Sequence, residues 1–421
     1  MPARASRPAR GARGASGPAG GASGLADAAA GASGAAEPSG PGPALPRAVS
    51  CRAVTKTNLW IPLSLVWLAL LAGPARADEG TAPLSSSSAA PAESATLHRV
   101  TLLIENDKFA GTDKFYTNGF KLSYQRDDVG PISTFFSDLI SLIPPFRARP
   151  LAWGLVLGQD IYTPADTEET RLIPNDRPYG AWFYAGLTLT RGNRPRQGEA
   201  RPPILFEDRI ELLFGAIGEA AQGEEIQNNW HRIINVSLSE GWDNQIKSEV
   251  GAQLYLQRKW LIDLWQGEGL LPGADFQPNL GGAIGTVFTH LSVGGTFRFG
   301  WNLGDAFGPP QRIASAGLAG LSPPPDHVRF YIFGRLHGRI VLHNAFIEGG
   351  VFRSPVRKPS INGVVERHHI DYERFVADFE VGAVLEWRWL QIGLTSVTRT
   401  REFDEQPDSF TFGAIHVQLT F

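Results

Sequence analysis

The 421-residue chain has one cysteine, Cys51, and one methionine, Met1. A lone cysteine forms no internal disulfide, and Cys51 lies upstream of the export cleavage site expected before Asp78. The mature chain is therefore expected to carry neither disulfides nor thiol chemistry. Charge of one sign is also lacking: 39 Lys and Arg face 42 Asp and Glu, a formal net charge of -3, which gives no hint of nucleic-acid binding. No G-x-S-x-G elbow occurs, so a covalent hydrolase of the α/β kind is unsupported. No H-x-x-x-H or cysteine cluster supports zinc. No long apolar helix follows residue 77. Glycine, by contrast, is abundant, with 47 residues, and aromatics make up 10% of the chain.

The first part of the chain does not read as fold. Residues 1–50 are nearly all Ala, Gly, Pro, Ser and Arg without apolar periodicity, a composition that cannot bury a core. The segment is expected to be disordered or to reflect an over-extended start, although no internal Met offers a replacement. Residues 51–77 read as a secretory signal peptide. They hold a positive charge at Lys56, an apolar run from Leu59 to Leu71 and the small-x-small site Ala75-Arg76-Ala77. The run is too short for a transmembrane helix, and cleavage is expected before Asp78. Residues 78–96 form a polar Ser/Ala/Pro linker.

From residue 97 onward the pattern changes to alternation. In "TNGFKLSYQR", Phe120, Leu122 and Tyr124 share one face and Lys121, Ser123 and Gln125 the other. In the last segment Ile415, Val417, Leu419 and Phe421 point out while Ala414, His416, Gln418 and Thr420 point in. Such segments fall near 97–106, 117–126, 151–161, 180–191, 207–217, 246–258, 276–287, 291–301, 327–340, 372–386, 389–401 and 410–421. An even count of about twelve, aromatic ends (Trp182, Trp301, Trp387, Trp389) and a polar second face make a transmembrane antiparallel β-barrel the expected fold. A soluble sandwich shares the alternation. The signal peptide, the missing cysteine and the final strand ending on Phe421 favour a barrel in the bacterial outer membrane.

With both ends periplasmic, the connections 1–2, 3–4, 5–6, 7–8, 9–10 and 11–12 face outward. Connection 5–6 carries the one helical pattern, "EEIQNNWHRIIN". At about 100° per residue, Ile226, Trp230, Ile233 and Ile234 form a stripe, with Gln227 and His231 side by side beside it and Glu224 one turn earlier. Polar residues from distant segments gather at the same rim. Asn106 and Asp107 close strand 1, Thr117 opens strand 2, and "NDRPYGAW" lies in connection 3–4. Each has a bland reading alone. Asn and Asp form turns, Thr is a β-former, Gln227 and His231 suit a solvated surface, and Arg177 suits a lumen cation paired to a carboxylate such as Asp176 or Asp160. Their joint placement at one rim is what suggests a site.

The spaced motifs "IENDKF", "TDKFYTNGFKLS", "GQDIYTP", "NDRPYGAW", "GEEIQNNWHRIIN" and "GWDNQI" resemble the outer-membrane lipid A 3'-O-deacylase (LpxR) family, over about residues 100–421. The resemblance implies a twelve-stranded barrel that removes the 3'-linked acyloxyacyl chain of lipid A, dependent on calcium. It places the site between the barrel wall and a helix from an outer loop. It also implies that Asn106, Asp107, Thr117, Gln227 and the catalytic His231 are the site residues. Two departures stand out. The family's Lys-Arg pair after Q-D-I-Y-x-P is missing, the loop here reading "ADTEETRL" with only Arg171 basic. A glutamate and a tyrosine expected after the histidine fall near Ser237 and Ser239, with Glu240 as a substitute.

Chemically, a histidine can serve as general base on water near neutral pH. The Asp107 carboxylate with neighbouring carbonyls suits Ca²⁺, a hard cation, which polarises an ester carbonyl as a Lewis acid. Asn106 and Gln227 suit hydrogen bonds to the developing oxyanion or to the water, and Thr117 suits orienting Asp107 or the metal's water. The expected partner is lipid A or lipopolysaccharide in the outer leaflet, met by a monomer. The alternatives are a porin or structural barrel without enzymatic activity, and a barrel phospholipase.

Overall fold

The structure is a computed structural model. It describes residues 96–421 apart from 112–113, 128–129, 132–133, 136, 139–148, 196–197, 312–319, 322–323, 353–356, 360–364 and 369. The low-complexity segment, the signal peptide and all but the last residue of the linker lie outside the described residues.

Twelve strands close into one barrel. They are β1 (His98–Asn106), β2 (Phe115–Arg126), β3 (Arg149–Thr163), β4 (Gly180–Gly192), β5 (Leu205–Ile217) and β6 (Glu249–Trp265), followed by β7 (Gly273–Gly285), β8 (Phe288–Trp301), β9 (Arg329–Asn344), β10 (Phe375–Trp387), β11 (Leu390–Arg399) and β12 (Phe410–Thr420). Each strand pairs antiparallel with its sequence neighbours. β12 closes the ring on β1, with Arg99 opposite Thr420 and Asn106 opposite Gly413. Closure leaves no sheet edge, which a chain crossing hydrocarbon requires.

The alternation has the predicted sense. Lys121, Ser123, Gln125, His416, Gln418 and Thr420 are buried inside the barrel, while Leu155, Leu187, Phe214, Leu280, Ile332 and Leu394 are exposed on its outer face. A soluble sandwich would hide its apolar rows. Here they cover the outside and the polar rows are hidden, as on a lipid-facing barrel. Among the described residues no helix is long and apolar enough to cross a membrane.

Ion pairs and inserted segments fill the lumen. Lys121 bonds Glu105 at 2.7 Å and lies 3.3 Å from Asp160; Arg335 bonds Glu380 at 2.9 Å; Arg399 pairs with Asp378 at 2.7 Å. The β8–β9 connection folds back into the barrel from the periplasmic side. Arg335 donates to the carbonyls of Pro309 and Pro310 at 3.0 and 2.8 Å, and Phe307 packs on Leu205 and Leu261. At the outer mouth a one-turn helix, α2 (Ala345–Glu348), stacks Phe346 on Tyr162 with ring centroids 4.2 Å apart. Neither α2 nor the short hairpin pairing Arg357–Pro359 with Val365–Arg367 is apparent from the sequence pattern.

One aromatic expectation fails. Trp182 is not a girdle residue but points inward, buried against Tyr184 at 4.3 Å. Trp301 and Trp387 are exposed at the periplasmic ends of their strands and Trp389 in the turn that follows β10, as an interface belt requires.

Candidate functional site

The site is built on the outside of the barrel wall, near its extracellular edge. On β3 the inward positions include Asp160 and Tyr162, so Gln159, Ile161 and Thr163 face outward. On β4, Trp182 and Tyr184 point in and Ala181 and Phe183 out. The β5–β6 connection folds down over this outer face. Ile161, Tyr179, Ala181, Ala221 and Trp242 form one buried apolar cluster, and the outward amide of Gln159 donates to the Ala221 carbonyl at 2.6 Å. Helix α1 (Gly223–Ile234) begins on this platform. A Cβ at Gly223 would stand 2.5 Å from the Trp242 ring and 2.6 Å from the Ala181 side chain, so only glycine lets the helix start this close to the wall.

The helix turns its polar side inward. Gln227, Asn228 and His231 are buried, and Ile226, Trp230, Ile233 and Ile234 are exposed. Asn235 ends the helix in the left-handed region (φ 55°), where Asn is one of the few tolerated residues. The chain then reverses, and Val236 N–H donates to the His231 carbonyl at 3.0 Å. Three hydrogen bonds from two helix side chains tie the returning segment to the helix. The His231 Nδ1 lies 2.6 Å from the Ser237 carbonyl. The Asn228 amide donates to the Ser239 carbonyl at 3.1 Å and accepts from its N–H at 2.9 Å. Gln227 differs from both neighbours. Its oxygen and nitrogen are buried and find no hydrogen-bond partner among the described residues.

The opposite side comes from β1 and β2. Glu105 points into the lumen, so Asn106 points out, and its side chain accepts from Lys108 N–H at 2.8 Å to cap the 3-10 turn Asp107–Ala110. Lys114 N–H donates to an Asp107 carboxylate oxygen at 2.5 Å. A bulge between Tyr116 and Asn118 breaks the alternation. Tyr116 thereby bonds Glu105 and Asp160 inside the lumen, each at 2.8 Å. Thr117 bonds the outward Thr163 at 2.7 Å. Bulges commonly re-aim one side chain in this way.

All five predicted site residues, Asn106, Asp107, Thr117, Gln227 and His231, are buried. A cleft of 630 Å³ joins the two sides. It is lined by Lys108 and Lys114 beside Asp107, by residues 165–168 of the β3–β4 connection, and by Val236 and Ser237 after the helix. The group bonded to Asp107 and the group bonded to His231 thus border the same cavity. Among the described residues no cluster of three or more His, Cys, Asp or Glu is arranged to hold a metal ion.

Several sequence expectations need correction. The buried Arg177 guanidinium does pair with a carboxylate, but with neither Asp176 nor Asp160. It donates to Glu402 at 3.0 Å and lies over the Tyr162 ring at 4.7 Å, while Asp176 accepts from the backbone N–H groups of Ala165 and Arg177. Glu224 and Glu240 are exposed rather than turned into the site. Arg171 is exposed and paired to Glu169, so the basic groups at the cleft are Lys108 and Lys114. Burial raises the Asp176 carboxyl above its ordinary range, although the backbone N–H groups of Ala165 and Arg177 oppose the shift. Asn228, Thr163 and Gln159 are structural members of the site that sequence reading missed. The readable signal was polarity at the outward positions Gln159 and Thr163, where lipid-facing strands are apolar.

Comparison with known proteins agrees with this architecture. The family described as "Outer membrane protein LpxR" matches residues 65–421. Among solved structures, LpxR from Salmonella typhimurium is similar over 78% of this chain and 100% of its own, at 19% identity and a TM-score of 0.58. The translocator domain of the autotransporter NalP from Neisseria meningitidis aligns over 79% of this chain and 90% of its own at 8% identity, with a TM-score of only 0.32. A search of curated protein sequences returned no match. The match across most of the chain, together with a closed twelve-stranded barrel carrying a helix against its outer wall, places this protein in the LpxR family of outer membrane proteins.

Proposed function

We propose that this outer-membrane barrel is an esterase that hydrolyses the 3'-O-linked acyl ester of lipid A, using water activated by His231. The carrying observation is the pairing of an oriented histidine with a buried, uncompensated amide. A carbonyl oxygen only accepts, so Ser237 fixes the proton on His231 Nδ1 and leaves the Nε2 lone pair as the base. The adjacent Gln227 amide has no partner among the described residues, and an unmet buried amide is costly unless a ligand or water meets it. In this reading Nε2 takes a proton from water as the oxygen attacks the ester carbonyl. The sugar oxygen leaves with that proton, so water and ester become acid and alcohol. The Gln227 N–H groups donate to the carbonyl oxygen as its charge grows.

The residues present suit calcium in type. Asp107, Asn106, Thr117 and Thr163 offer only oxygen donors on one patch of wall, and the Gln227 amide oxygen is unmet. Ca²⁺ bound there would supply Lewis-acid polarisation of the ester carbonyl. With Asp107 as the single carboxylate of this set, weak binding is expected, of order 10⁻⁴–10⁻³ M as in sites of low charge.

Position supports a lipid substrate, because the cleft is lined by residues of the outer connections beside the barrel wall and by no inward-facing strand residue. A porin reading fits poorly with a lumen crossed by ion pairs and by the β8–β9 connection. Mass spectrometry of lipids from cells producing the protein separates the readings. Loss of an acyloxyacyl group from lipid A supports the proposal. Loss of phospholipid acyl chains points to a barrel phospholipase, and unchanged lipids contradict both.

A further inference from the structure

Helix α1 is amphipathic in the wrong sense for a loop in water. Its apolar stripe is uncovered, with Ile226 38%, Trp230 40%, Ile233 68% and Ile234 36% exposed, while Gln227 and His231 are each 1% exposed. A third face, Glu225, Asn229 and Arg232, is exposed and polar, with Arg232 donating to Asn229 at 2.8 Å. At 3.6 residues per turn the centres of these faces stand roughly 120° apart. A helix between protein and water needs two faces. Three faces fit a helix that meets protein, water and hydrocarbon at once.

The surroundings identify the third phase. The helix is seated on the outside of β3 and β4 through the cluster of Tyr179, Ala181, Ala221 and Trp242. Farther along the same outer face the exposed side chains are Leu155, Leu157, Phe183 and Leu187. The stripe therefore continues the lipid-facing belt of the barrel. We propose that α1 lies in the outer leaflet as an interfacial helix, its Ile226–Trp230–Ile233–Ile234 stripe against lipid acyl chains, Glu225, Asn229 and Arg232 toward water, and His231 and Gln227 against the barrel wall. Interfacial helices of this kind sink their apolar face roughly 5–10 Å below the headgroups. The inference rests on position and exposure and does not depend on the esterase reading.

The near absence of cysteine gives a direct test. In a full chain carrying Cys51→Ser, single cysteines are placed at Ile226, Ile233, Glu225 and Asn229, with Leu212→Cys and Phe214→Cys on the outward face of β5 as lipid references. Each is nitroxide-labelled and reconstituted in phosphatidylethanolamine–phosphatidylglycerol vesicles, with heat-modifiable mobility confirming the barrel. Collision rates with oxygen and with a water-soluble nickel chelate are then compared. The expected result is an oxygen-to-nickel ratio at Ile226→Cys and Ile233→Cys that matches the β5 references and exceeds Glu225→Cys and Asn229→Cys several-fold. A nickel-dominated ratio on the stripe overturns the proposal, because the face then meets water. Immobile stripe labels shielded from both reagents overturn it as well, because protein, such as a second copy, then covers the face.

Discussion

The carbonyl oxygen of Ser237 lies 2.6 Å from Nδ1 of His231, six residues back along the chain. That bond exists because the chain doubles back immediately after α1, and the turn is made by Asn235 at φ 55°. The left-handed region is open to Gly, tolerable to Asn and costly to a β-branched residue, by about 1–2 kcal/mol. Asn235→Gly is therefore expected to retain activity, and Asn235→Val to lose much of its kcat with the barrel still folded. Ester hydrolysis by purified, heat-modifiable protein checks this. Equal rates for the two variants would show that the turn does not position the histidine.

Glu402, just beyond β11, is a second pivot. Burial alone would raise its carboxyl, but the guanidinium groups of Arg399, Arg177 and Arg339 outweigh that and hold it at about 2. An unfolded glutamate titrates near about 4.3. The folded value is the lower one, so the stabilisation is complete above about 4.3 and is lost as pH falls toward 2. Glu402→Gln should cost about 3–5 kcal/mol at neutral pH, since it strands buried arginines. It should also flatten the acid limb of the stability profile. Urea unfolding followed by tryptophan fluorescence at neutral and acid pH measures both effects.

Calcium dependence is the third expectation. Activity should fall in excess EGTA after dialysis and return with Ca²⁺ in the roughly 10⁻⁴–10⁻³ M range typical of low-charge sites. Asp107→Asn should shift that requirement upward. Undiminished hydrolysis in EGTA would remove the metal from the account.

Export provides a fourth. The Ala75-Arg76-Ala77 site predicts a mature chain beginning at Asp78. Intact-mass analysis of membrane-extracted protein reads this directly, and retention of Cys51 would contradict it.

The strands were legible because a period of two with one apolar face leaves little choice of register. Lys121, Ser123 and Gln125 went where the alternation sent them. The helix was legible from the spacing of Gln227 and His231, but its orientation was not, since a stripe of Ile and Trp looks the same facing a core or a bilayer. Thr117 illustrates the other limit. Simple alternation would put it in the lumen with Gly119, and only the bulge at Tyr116–Asn118 turns it to Thr163 on the outer wall. Arg177 found Glu402 rather than its neighbour Asp176 because its partner is set by ring closure, which brings residues 225 positions apart together. Plugging by the β8–β9 connection leaves no periodic trace at all.

The central claim is that His231 is the general base, and His231→Ala measured on lipid A is its most direct test. The substitution should lower kcat by ~10²–10⁴-fold, the range typical of acid–base catalysis. His231→Gln should fail too, because an amide does not take up a proton at neutral pH. The barrel should stay folded, since α1 is held to the wall by Gly223, Ala221 and Trp242 rather than by the histidine. Mass spectrometry of lipid A incubated with heat-modifiable His231→Ala protein should show the acyloxyacyl chain retained while the parent removes it. Removal at the parent's rate would contradict the mechanism.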